Sequence, residues 1–165
     1  MRFGVCLIAL LLAACGGGGG DIIDMTDPAD LKLREEFRGL AAADMDGNGF
    51  PDLIAGSFLL ENRQILDSRI AIYRQNPASP GQFLPPSHHP YGTTSAKAHD
   101  LATADLQLNG LADVIATSWD EGGFRAFQSD NTLPGSLLPV VHYPLGPANS
   151  SFGHSQAIAD IDADG

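Results

Sequence analysis

Oxygen-bearing side chains recur at alternate positions in three short stretches of the chain, a spacing that suits a hard cation. In the first stretch Asp44, Asp46, Asn48 and Asp52 fall at positions one, three, five and nine, with Gly49 at six and the Phe50 carbonyl at seven. Calcium takes roughly six to eight oxygens, and alternate side chains of a tight loop converge on one point. Glycine at position six permits a backbone bend that a Cβ hinders. No glutamate stands at position twelve, where the chain has Ala55, and the residues after Asp52 read as a strand. A helix–loop–helix is therefore disfavoured, and Asp52 has to supply the bidentate carboxylate.

The second stretch places Asp105, Gln107, Asn109 and Asp113 in the same roles, with the Leu111 carbonyl at seven. It has two charges where the first has three, so weaker calcium binding is expected. The third offers Asp160, Asp162 and Asp164, and the sequence stops at Gly165 before a ninth position. One such cluster alone is usually a turn whose side chains satisfy the backbone. Three copies in register favour metal.

Other chemistry is poorly supported. Gly153-His154-Ser155-Gln156-Ala157 has the outline of a nucleophile elbow, but no helical pattern follows it and it leads into the third acidic stretch. His88, His89, His99, His142 and His154 lack the spacing of a zinc site. No catalytic residue is expected within the chain. The net charge is −11, and the few basic residues form no cluster able to track phosphates, which argues against nucleic acid.

The elements that must position the loops repeat with them. The leading aspartates, Asp44, Asp105 and Asp160, recur at intervals of 61 and 55 residues. After each complete loop comes an apolar run, Leu53 to Phe58 or Val114 to Trp119, and then a second strand-like segment, Arg69 to Arg74 or Gly123 to Phe127. A Pro/Gly turn follows, then Phe83-Leu84 or Leu137-Leu138, then Tyr91 or Tyr143. His99 and His154 hold the same place upstream of their loops, as hydrogen-bonded residues at a strand start. Short strands with frequent turns predict an all-β fold, with about one four-stranded sheet per repeat. Such sheets need both faces covered, which favours radial stacking in a propeller over a β-solenoid. The repeats span 38–98, 99–153 and, cut short, 154–165. Trp119 and Tyr73 are expected to pack between them.

The two ends of the sequence differ from the repeats. Phe3 to Ala14 is an unbroken apolar run behind Arg2, too short to span a bilayer and suited to a signal-peptide core, so residues 1–14 read as a leader. Residues 15–37 read as a glycine-rich and acidic tether, in which Asp27-Pro28 could cap a short helix over Ala29 to Arg38. With Cys6 in the leader and Cys15 the one other cysteine, no disulfide is expected. A chain holding about two and a half repeats is expected to be part of a longer one, unable to close a ring alone.

Two resemblances follow from these residues. Leu12-Ala13-Ala14-Cys15 resembles the lipobox of bacterial lipoproteins, which implies diacylglycerol on Cys15 and attachment to a membrane, the outer membrane or cell surface above all. Asp44 to Leu53, repeated as Asp105 to Val114 and begun at Asp160, resembles the D-x-D-G-[DN]-G-x-x-D-L motif of FG-GAP/VCBS repeats, as in integrin α-chain propellers and many bacterial surface proteins. That resemblance covers residues 38 to 165 and implies a partial β-propeller with Ca2+ in its loops. Gln107 and Leu108 depart from the Asp-Gly of the motif. The function implied is a surface module that binds a protein or glycan or serves as a scaffold. The alternative is the non-catalytic portion of a larger secreted polysaccharide-active or other hydrolytic enzyme.

Overall fold

The computed structural model describes residues 34–61, 64–92, 96–118, 122–146 and 156–159, all within one compact unit, Lys32–Gly165. Among these residues every regular element is a strand. The first sheet is an antiparallel meander of β1 (Arg34–Ala43), β2 (Asp52–Glu61), β3 (Gln64–Tyr73) and β4 (Ser87–Pro90). The second repeats the pattern with β5 (Asp100–Ala104), β6 (Asp113–Thr117), β7 (Gly123–Phe127) and β8 (Val141–Pro144). The fold is all-β, as the spacing of apolar runs and turns predicts.

Backbone registers make the repeat quantitative. Ala43 pairs with Asp52 and Ala104 with Asp113, so each acidic stretch is the connection of the first hairpin of its sheet. Gln75 bridges Phe83 as Ser129 bridges Leu137. Two expectations are corrected. Arg34 to Arg38 do not join a helix: they lie in β1, where Phe37 pairs with Ser57, because the tertiary sheet outweighs a weak local cap. The counterpart of Tyr91 is Leu145, not Tyr143. The Tyr91 N–H donates to Ser68 O at 2.8 Å and the Leu145 N–H to Gly122 O at 2.7 Å, whereas Tyr143 pairs with Phe124 as His89 pairs with Ile70.

The core lies where the sheets meet. Met45, Ile54, Ile70, Ile72 and Tyr91 of the first repeat pack against Ala98, Leu101, Val114, Ala116 and Phe127. Arg125 lies over the Tyr91 ring at 5.0 Å. The approach is closest at Gly56, where an added Cβ would stand 2.5 Å from Ala98 O, and at Gly39, whose N–H donates to that same oxygen. Gln156 reaches the second sheet near one of the equivalent points: its N–H donates to Asp100 Oδ2 at 3.0 Å and its Nε2 to Ile115 O at 2.8 Å. By register Asp100 and Ile115 are the counterparts of Gly39 and Ile54. Where nothing described covers the second sheet, its residues stay exposed. Leu106 is 46% accessible and Leu145 67%, against 0% for their counterparts Met45 and Tyr91.

Candidate metal centre

The first loop, between β1 and β2, is shaped by its own carboxylates. Asp44 Oδ1 accepts the Asn48 N–H at 3.1 Å and its Oδ2 the Gly49 N–H at 2.7 Å. Asp46 Oδ1 also accepts the Asn48 N–H, and Asn48 Oδ1 accepts that of Phe50 at 2.8 Å. Gly47 and Gly49 sit at φ 72° and 85°, the left-handed region in which a Cβ costs about 1–2 kcal/mol. These bonds turn the chain back on itself, so that carboxylate oxygens of Asp44, Asp46 and Asp52 lie within 4.8 Å of one another.

Asp52 is the buried member of the group. Its Oδ2 accepts the Met45 N–H at 3.0 Å and its Oδ1 the Gln75 N–H at 2.8 Å, joining the loop to the exit of β3. Burial pushes its pKa up, the Gln75 and Met45 N–H groups pull it down, and the charges of Asp46 and Asp44 raise it further. Two like charges at about 4 Å repel by roughly 4 kcal/mol at an effective dielectric of 20. A divalent cation would remove that repulsion, and its hard oxygen donors fit calcium. Asn48 is exposed and Phe50 half-buried at the rim of the same loop.

The second loop, between β5 and β6, keeps the backbone bonds. Asp105 accepts the N–H groups of Asn109 at 3.0 Å and Gly110 at 2.7 Å. Those bonds, Gly110 first and Asn109 next, hold its carboxyl below the usual range. Asp113 accepts the N–H of Leu106 at 2.8 Å and of Ser129 at 2.6 Å. Gln107 is exposed, Asn109 and Leu111 half-buried. Leu108 occupies the place of Gly47 at φ 53°. Asp160, Asp162 and Asp164 of the third loop, and Cys15, lie outside the described residues, as does Trp119.

The sequence pattern passes over four participants. Gln75 and Ser129 stand at the same register after β3 and β7 and engage the ninth-position aspartates. A polar residue two places beyond each strand is the signal that could have found them. Met45 and Gly135 are joined by a bond between repeats, the Gly135 N–H to Met45 O at 3.0 Å, which no local pattern announces.

No family model, curated protein or solved structure matches the chain. The site therefore rests on its own geometry.

Proposed function

We propose that this chain is the calcium-binding, propeller-type repeat module of an exported surface lipoprotein. In this reading the two sheets are successive blades of the FG-GAP/VCBS kind, and Cys15 carries the lipid that holds the module on the outer membrane or cell surface. Its role is to bind a protein or glycan, or to act as a rigid scaffold, without chemistry of its own.

The observation that carries the reading is the convergence of Asp44, Asp46 and Asp52 within 4.8 Å at the first hairpin connection. The matching registers of the two sheets support the repeat half of it. Calcium at the first loop would cross-link the β1–β2 connection to the exit of β3 through Asp52. That is a use of metal suited to a chain in which no disulfide is expected.

Calorimetric titration of the full chain with calcium, wild type against Asp46→Ala, tests the site. Binding by the wild type and its loss in the variant are expected; equal binding sinks the assignment. Expression in a bacterium with the leader intact tests the anchor. The product should partition with membranes and carry a lipid mass increment that Cys15→Ser removes.

A further inference from the structure

The second loop has the ligand-like spacing of the first, but its side chains are engaged with one another. Asn109 Nδ2 donates to Gln107 Oε1 at 2.8 Å and to Ser129 Oγ at 3.3 Å. Ser129 Oγ in turn donates to Asp113 Oδ1 at 2.9 Å, where the Ser129 N–H also arrives. Positions three, five and nine are thus linked in one run from Gln107 through Asn109 and Ser129 to Asp113. Ser129 and Asp113 are both buried, at 2% and 0% exposure. Low dielectric strengthens the Ser129–Asp113 end of the run and makes it costly to open, while the Asn109–Gln107 bond lies at the exposed end.

The first loop is wired differently at the corresponding residue. Gln75 gives Asp52 only its backbone N–H, while its side chain turns away, Nε2 to Pro51 O and Oε1 to the Gly81 N–H, both at 2.8 Å. Among the described residues no hydroxyl is directed at the ninth-position carboxylate there. The first loop has three aspartates and one amide at the ligand positions, the second two aspartates and two amides.

We propose that the second loop is metal-independent, with Ser129 closing Gln107, Asn109 and Asp113 into a hydrogen-bonded circuit that holds the hairpin connection in the shape a cation would otherwise impose. To bind calcium, Gln107 Oε1 would have to give up the Asn109 amide proton and Asp113 the Ser129 hydroxyl. Two carboxylates offer less in exchange than three. The module then takes one cation in its first two repeats. Ser129, against Gln75, is the residue that sets the difference. The contrast between loops rests on the calcium reading of the first loop; the circuit itself does not.

Two measurements on the full chain test this. Calcium titration by calorimetry should give one site in the region, retained in Asp105→Asn and lost in Asp46→Ala. A second event that Asp105→Asn removes would overturn the proposal. Melting in chelator reads the circuit without metal. Ser129→Ala and Asn109→Ala should each lower the midpoint by several degrees, and the double variant by less than their sum, because they break one shared path. Unchanged midpoints or strict additivity would overturn it. A wild type that binds no calcium would defeat the first-loop reading, while the melts would still decide the circuit.

Discussion

The peptide N–H of Gly135 stands 3.0 Å from the carbonyl oxygen of Met45, joining the β7–β8 connection of the second repeat to the acidic loop of the first. Met45 is held on both sides, since its own N–H donates to Asp52. An added Cβ on Gly135 would lie 3.0 Å from Arg74 Cδ and 3.2 Å from Asp46 Cβ. The counterpart glycine of the first repeat, Gly81, has nothing within 4 Å of that position, and its N–H goes to the Gln75 side chain instead.

This contrast supplies the first prediction. Gly81→Ala and Gly135→Ala carry the same left-handed strain, at φ 89° and 83°, worth about 1–2 kcal/mol each. Gly135→Ala should lose roughly a further 1–3 kcal/mol from overpacking at the seam. It should also weaken calcium binding, because Asp46 is one of the two residues the added Cβ crowds. Urea unfolding of both variants, with and without calcium, checks it. Equal losses would mean that the turn does not bear on the loop.

Asp52 supplies the second. Removing its carboxylate strands the Met45 and Gln75 N–H groups, and the Met45 one is fully buried. Asp52→Ala should cost about 2–6 kcal/mol even in chelator, at 1–3 kcal/mol for each unsatisfied group. Asp52→Asn keeps one acceptor and should cost less, while abolishing calcium binding as fully as alanine does. Chemical denaturation and titration of the two variants separate the structural part of Asp52 from its part as a ligand.

The sequence exposes what is periodic and hides what is relational. Asp44, Asp46, Asn48 and Asp52 are legible because alternate side chains in a turn must converge, and the strands because apolar runs recur after each loop. The first strand is not legible at its start. Arg34 to Arg38 have no clean alternation, and their strand state comes from pairing with β2. Tyr91 and Leu145 were equally hidden as a pair, since an aromatic and an aliphatic residue share only a backbone bond pattern. The circuit through Ser129 joins residues from two connections of one sheet. No single stretch contains it.

Leu108 supplies the third prediction. It is the one non-glycine residue at positive φ among the described residues, at 53°, and is 68% exposed. Its side chain gains little from burial and holds the backbone where a Cβ is unfavourable. Leu108→Gly, which restores the residue type of position 47, should stabilise the chain. The relief of about 1–2 kcal/mol is offset in part by roughly 0.4–1 kcal/mol of added unfolded-state entropy. The melting midpoint should rise, and by the same amount in chelator and in calcium.

Asp130 supplies the last, a dependence on pH away from either loop. Its Oδ1 accepts the Thr132 hydroxyl at 2.6 Å and the Thr132 N–H at 2.8 Å, closing the turn that carries Gly135. The hydroxyl bond first, then the N–H bonds of Thr132 and Leu133, hold its carboxyl below the ordinary value of 3.8. A carboxyl lowered in the folded state binds fewer protons there than in the unfolded chain. Its contribution is therefore fully present well above pH 3.8 and is lost as the pH falls through the folded value. Asp130→Ala should melt below the wild type at neutral pH, and the gap should narrow progressively on acidification beneath about 3.8. Removing the turn's anchor also loosens the segment that presents Gly135 to Met45. At neutral pH the variant should therefore exchange the Gly135 amide hydrogen faster, measured by hydrogen exchange at that residue. A gap that stays constant down to the acid limit, with Gly135 protection unchanged, would show that Asp130 neither titrates with folding nor holds the turn against the first loop.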